Sequence, residues 1–123
     1  MVVKTFIITP EYVSFYAAGR REVAPVVDHD HGRIAATRDC ITIPSLYSND
    51  GDTTVVVGPL SELNQTLTPD HDGLLDTPHR LLMLSDALID IADIPVSSTR
   101  THIRIWVNHP TQPDHVVIGW ADG

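Results

Sequence analysis

Cysteine is nearly absent from this sequence of 123 residues, in which Cys40 is the single example. One cysteine excludes an internal disulfide and any zinc site built mainly from thiolates. The segment 38–43 around Cys40 is typical of a strand. We therefore expect a buried structural thiol that packs as a small hydrophobic side chain.

Long apolar runs are also missing. No stretch approaches the roughly 18 apolar residues that a membrane-spanning helix needs. Residues 1–10 lack an apolar core followed by a small-residue cleavage site, so we expect no signal peptide. These two absences predict a cytoplasmic protein.

Several catalytic signatures are absent as well. The sequence contains no G-x-S-x-G elbow and no H-E-x-x-H zinc motif, and its seven glycines form no phosphate-binding loop. A cysteine within a strand also lacks the helix N-terminus that often activates a nucleophilic thiol. The sequence therefore argues against an enzyme of these classes.

What is present is the composition of an ordinary globular protein, with 42% apolar and 20% charged residues. A chain of this length buries about two-thirds of its unfolded surface, enough for one core without disulfides or metals. We therefore predict a single domain over residues 1–123.

Short β-branched runs separated by glycine, proline, asparagine and aspartate recur along the chain, the pattern of an all-β protein. We predict a two-sheet antiparallel β-sandwich of about seven to nine short strands. In segment 12–17, period two places Val13, Phe15 and Ala17 on one face. Segments 33–37 and 40–43 are predicted to pair as a hairpin. Residues 58–78 are predicted to be a long irregular connection with a short helical turn at 61–64.

Residues 79–92 allow two interpretations. Ser85 and Asp86 interrupt the run, which favours two strands, 79–84 and 87–92. The alternative is one helix, because Leu81, Leu84, Leu88 and Ile91 fall at helical spacing.

The last third predicts a clear hairpin of segments 101–107 and 115–120. In the first of these strands Arg104 and Trp106 share a face. Arginine and tryptophan are frequent at binding hot spots, so this face is a candidate binding surface. For Trp106 we favour the structural interpretation, which places it in the core with Arg104 at its rim. Trp120 is predicted to close an open end of the sandwich in the same way.

The formal net charge of −8 has one source. Segment 50–93 holds one base, Arg80, and nine acids: Asp50, Asp52, Glu62, Asp70, Asp72, Asp76, Asp86, Asp90 and Asp93. Outside this segment seven acids balance seven bases. Such a field repels phosphate backbones, which argues against nucleic-acid binding, and attracts a basic protein. The alternative is a solvated acidic face that serves solubility.

The first functional hypothesis is therefore a non-catalytic module, inhibitor- or immunity-like, that binds a basic partner protein. Its binding residues are drawn from the acidic segment, with Arg104 added from the C-terminal hairpin: Asp50, Asp52, Glu62, Asp70, Asp72, Asp76 and Arg104. A third class, an accessory domain that acts only within a homo-oligomer, has no feature for or against it.

The second hypothesis is a metal-dependent hydrolase or a metal-binding protein. Two similar clusters of imidazoles and carboxylates suit a divalent transition metal. Their candidate ligands are His29, His31, His71, Asp28, Asp70 and Asp72. Both clusters lie beside glycine or proline, however, where aspartate is common for turn reasons alone.

The C-terminal pattern resembles a loose group of small bacterial β-sandwich proteins. It consists of strand 101–107, a polar turn with two prolines, and the closing Val116-Val117-Ile118-Gly119-Trp120. This group includes the DNA-entry nuclease inhibitor of the competence protein J type, and strand 12–16 and segment 81–91 fall in similar order. The group's usual ending has a glutamate and Trp-Pro, which this chain lacks, so no functional residue carries over. The resemblance implies a non-catalytic acidic sandwich whose partner is another protein, such as a nuclease or toxin.

Overall fold

A computed structural model describes residues 3–10, 14–22, 32–46, 48–63, 65–86 and 89–121. Its elements are almost all strands, and their bounds are β1 Lys4–Ile8, β2 Ser14–Ala18, β3 Ala35–Ala36, β4 Cys40–Pro44, β5 Thr53–Pro59, β6 His71–Asp76, β7 Leu81–Ser85, β8 Asp90–Pro95, β9 Arg100–Val107 and β10 His115–Trp120. A 3₁₀ turn covers Ser48–Asp50, and a four-residue helix, α1, covers Leu60–Leu63. Within the described residues, no helix has the length and apolar character needed to cross a membrane.

The strands form two five-stranded sheets. Sheet A has the order β1-β5-β10-β9-β6, and sheet B has the order β3-β4-β2-β7-β8. Every neighbouring pair is antiparallel except β5 and β10, which run parallel from the pair His115 and Thr54. The predicted two-sheet sandwich is confirmed. It has ten described strands, above the predicted seven to nine, and one parallel pair in a largely antiparallel fold.

The core lies between the sheets because each central strand turns alternate apolar residues inward. Ile103 and Ile105 of β9 are fully buried, as are Phe15 and Ala17 of β2. The residue between the latter two, Tyr16, is only partly buried, so the predicted period of two holds along β2. Trp120 at the end of β10 is 1% exposed and belongs to this core.

Where residues 79–92 allowed two interpretations, two strands are present, as the favoured one predicted, and the second starts at residue 90, later than the predicted 87. β7 pairs antiparallel with β8, which begins at Asp90 because Asp86 accepts a hydrogen bond from the Ile89 amide at 2.8 Å and closes a turn. The predicted hairpins of β3 with β4 and of β9 with β10 are also present.

The prediction of an irregular connection over residues 58–78 is wrong at its C-terminal end. Residues 71–76 form β6, which pairs along its whole length with β9 at the edge of sheet A. Edge strands tolerate charged and small residues, so the sequence His-Asp-Gly-Leu-Leu-Asp carries a weak strand signal. The short helix predicted at 61–64 is present as α1, one residue earlier.

Helix α1 packs on the outer face of sheet A because two glycines make room for it. A Cβ on Gly119 would lie 2.8 Å from the Leu63 Cδ1, and a Cβ on Gly58 would lie 3.3 Å from the Leu63 Cδ2. The chain then passes over Trp106, whose Nε1 donates to the Leu67 carbonyl at 2.8 Å. Trp106 is therefore buried on the outer face of sheet A, and the favoured prediction that placed it in the core between the sheets is wrong.

The connections between strands gather at two opposite ends of the sandwich. We call one the Thr53 end; it contains the starts of β5, β6 and β10. We call the other the Gly19 end. It contains the end of β2, the β3–β4 turn, and the two crossings between the sheets, from β6 to β7 and from β8 to β9. The strand registers place the β9–β10 turn at the Thr53 end and the crossings 77–80 and 96–99 at the Gly19 end. The segment that follows α1 runs back along sheet A to the Thr53 end.

Candidate functional site

Four exposed carboxylates lie at the Thr53 end of the sandwich. Asp50 and Asp52 precede β5, Asp70 precedes β6, and Asp114 precedes β10. β10 and β9 lie between β5 and β6 in sheet A, so β5 and β6 are about 14 Å apart. In the described part of the chain, none of the four forms a salt bridge, although Arg33 lines a cleft together with Asp70 at this end.

Hydrogen bonds fix the backbone that carries these carboxylates. The fully buried Thr53 hydroxyl accepts from the Leu46 amide at 3.0 Å and donates to the Pro113 carbonyl at 3.3 Å. The Asn108 Nδ2 donates to the Asp114 Oδ1 at 2.6 Å. The Asp70 Oδ2 accepts from the Val107 amide at 2.8 Å. The acidic turns are thus tied to one another across sheet A.

A second cluster lies on the outer face of β6 and β9. Asp72 contacts the His102 Nε2 and lies 3.3 Å from the Arg104 Nε. The hydrogen bond from His102 and the charges of His102 and Arg104 lower the pKa of the Asp72 carboxyl. Arg104 is therefore partnered by a carboxylate that the sequence also proposed for binding.

His71, next to this cluster, is half-buried at the start of β6. Burial lowers the pKa of its imidazole below the ordinary 6.5, the nearby His102 acts in the same direction, and Asp72 opposes both. His71 is thus favoured in its neutral form.

The Gly19 end has the opposite character. Arg20, Arg38, Arg80 and Arg100 gather there. The Asp76 Oδ1 lies 3.4 Å from the Arg38 Nη2 and 3.8 Å from the Arg100 Nε. At the edge of sheet B, Arg21 places its Nη2 2.7 Å from both Asp93 oxygens and its Nη1 3.0 Å from Asp90.

The predicted acidic binding set is therefore divided. Asp50, Asp52 and Asp70 lie at the Thr53 end, and Asp72 is the second residue of β6, close to the same end. Asp76 lies at the Gly19 end among arginines, and Glu62 lies on α1. The division arises because segment 50–93 runs along both sheets, so residues close in sequence reach opposite ends.

The sequence did not indicate two features of this charge pattern. Asp114 lies outside the acidic segment, yet the β9–β10 turn brings it to the Thr53 end. The arginines at the Gly19 end come from four separate connections, and only the topology unites them. The weak sequence signal for both is that each residue adjoins a turn.

The proposed metal ligands are placed only in part. Asp28, His29 and His31 lie outside the described residues. Asp70, His71 and Asp72 are consecutive, so His71 and Asp72 point to opposite faces of β6. Among the described residues, no group of three or more histidine, cysteine, aspartate or glutamate side chains could hold a metal ion.

Cys40 is fully buried at the start of β4. Burial, together with the neighbouring Asp39 charge, raises the pKa of its thiol to about 11. The thiolate is therefore scarce at neutral pH, which agrees with the predicted structural role.

The comparisons with known proteins concern the fold. No family model matches this sequence, and no curated protein matches it. The two-sheet architecture is shared with a small inhibitor protein of known structure. That protein is ComJ from Bacillus subtilis, described as an inhibitor of the DNA degrading activity of NucA. The crystal structure matches with a TM-score of 0.64 and 12% sequence identity, over 98% of this chain and 96% of that chain. The resemblance found in the sequence is thus confirmed at the level of fold.

Proposed function

We propose that this protein is a non-catalytic, inhibitor-like binding module whose Thr53 end engages a basic partner protein, and that the partner is a nuclease. The observation that carries the proposal is the set of exposed carboxylates at this end, Asp50, Asp52, Asp70 and Asp114, none of which forms a salt bridge among the described residues. The shared fold with an inhibitor of a DNA-degrading enzyme supports the choice of partner class.

The charge pattern suits such a partner for a physical reason. Enzymes that act on DNA bind its phosphates through lysine and arginine side chains. Carboxylates held at the Thr53 end would attract the same side chains and compete with DNA for them. Complementary charge of this kind chiefly raises the association rate and selects against acidic partners. In this proposal the protein acts in the cytoplasm, where a single reduced cysteine is ordinary.

The test is capture followed by an activity assay. The immobilised protein is exposed to an extract of its own source cells and eluted with a salt gradient, and each fraction is assayed for degradation of plasmid DNA. We expect a retained DNA-degrading activity that elutes as salt screens the charges and that stops when free protein is added back.

Two results would contradict the proposal. One is a retained fraction with no DNA-degrading activity that the free protein suppresses. The other is a retained nuclease whose elution does not respond to salt.

A further inference from the structure

The Gly19 end contains a cleft of about 590 Å³ that lies away from the Thr53 end of the proposed function. It is lined by Arg20, Asp39, Asp76, Pro78, Thr99 and Arg100. Its volume lies within the range of sites that hold small organic ligands. Arg38 adds a third guanidinium beside Asp76, so three positive groups face two negative ones in a protein of net charge −8.

The arginines of this cleft are only loosely engaged by protein. Their nearest carboxylate contacts are 3.3 Å for Arg20, 3.4 Å for Arg38 and 3.8 Å for Arg100. A well-formed charge-assisted hydrogen bond is shorter, and Arg21 makes such contacts to Asp93 at 2.7 Å. The side chains of Arg20, Arg38 and Arg100 remain 49%, 60% and 60% exposed. Most of their N–H donors are therefore available to a ligand.

Hydrogen bonds fix the backbone beneath the cleft, from which these side chains extend. The Asp76 amide donates to the Arg38 carbonyl at 2.7 Å, and the Thr77 amide donates to the Thr99 carbonyl at 2.9 Å. The buried Thr77 hydroxyl lies 2.7 Å from both the Ser98 carbonyl and the Thr101 hydroxyl. These hydrogen bonds join the β3–β4 turn, the crossing from β6 to β7 and the crossing from β8 to β9 beneath the cleft.

We propose that this cleft binds a small phosphate ester, with the phosphate between Arg20 and Arg100 and the organic part toward Pro78. Guanidinium groups match phosphate oxygens in geometry and charge. The volume exceeds what inorganic phosphate alone would fill, which favours a ligand with an organic portion. Asp39 and Asp76 compete with the phosphate for these arginines.

The test is calorimetric titration of the full chain at constant ionic strength with thymidine 5′-monophosphate, inorganic phosphate and sulfate. We expect the ester to bind most tightly. Arg100→Gln should weaken its binding on the order of tenfold, because a charge-assisted contact is lost. Arg80→Gln is the matched control: it removes the same charge at the same end without altering the lining, and it should change affinity much less.

A second variant, which is expected to tighten binding, distinguishes an effect on the site from damage to the fold. Asp39→Asn removes the carboxylate that competes for Arg20, so we expect it to tighten ester binding several-fold. The proposal is overturned if no ligand binds, if Arg80→Gln weakens binding as much as Arg100→Gln, or if Asp39→Asn leaves the affinity unchanged. Equal affinity for inorganic phosphate and the ester would refute the organic portion of the ligand.

Discussion

Gly19 is where single-residue sterics most strongly constrain this fold. A Cβ at this position would collide with the Asp76 carbonyl oxygen and lie 2.7 Å from the Thr77 Cα, and both are backbone atoms. The end of β2 in sheet B therefore packs directly on the chain as it leaves sheet A. Only a residue without a side chain permits this approach.

We expect Gly19→Ala to lower the free energy of unfolding by about 3 kcal/mol, the upper part of the usual range for overpacking. Urea denaturation followed by tryptophan fluorescence measures the change. The control is Gly73→Ala, whose Cβ would meet only the His71 ring at 3.3 Å. That ring can rotate away, so the control should stay within about 0.5 kcal/mol of the parent. Equal losses in both variants would contradict the steric argument.

At the scale of elements, sequence patterning succeeded where strands are central and failed at an edge. β9 was predictable because Ile103 and Ile105 alternate with His102 and Arg104, and β10 because it is a β-branched run that follows a turn. β6 was not, because an edge strand needs only one inward apolar residue, Leu75, to hold its place. The remaining positions of β6 follow solvent and charge requirements that resemble those of a loop.

The pH dependence of stability tests whether β6 buries His71. Because the pKa of His71 is lower in the folded state than its ordinary 6.5, the unfolded chain binds the additional proton. The resulting stability is present above pH 6.5 and is lost as the pH falls through 6.5 toward the folded-state value. We expect His71→Asn to flatten the decline in the free energy of unfolding between pH 7.5 and about pH 5.5.

The matched control for this measurement is His79→Asn, at an exposed position in the crossing from β6 to β7. We expect His71→Asn to flatten the decline more than this substitution does, because His71 is half-buried and residue 79 is exposed. If His71→Asn and the parent have the same slope, β6 does not bury His71 as described.

At the scale of the whole molecule, charge separates along the long axis of the strands. The acidic surplus of segment 50–93 is visible in the sequence, and the sequence predicts from it an interaction with a basic partner. Its division was not predictable, since Asp70 and Asp76 lie six positions apart yet at opposite ends of β6. Spatial gathering of Arg20, Arg38 and Arg100 likewise depends on strand order, which local patterns do not encode.

This polarity predicts that the two ends affect partner binding differently. With the nuclease recovered by capture, Asp50→Asn combined with Asp52→Asn should slow association on the order of tenfold at low salt, because steering charges are lost. The comparison is Asp39→Asn with Asp76→Asn, which changes the net charge equally at the Gly19 end. Surface plasmon resonance at several salt concentrations gives both rates. Similar slowing by the two pairs would show that net charge alone matters.

The position of β10 has a consequence for synthesis. This strand, the last described one, occupies the middle of sheet A between β5 and β9, and its partner residues in β5 lie about sixty positions earlier. Until it leaves the ribosome, the pair β1–β5 and the pair β6–β9 cannot join in one sheet. Loop closure over such distances is slow, so assembly of sheet A must await the synthesis of β10.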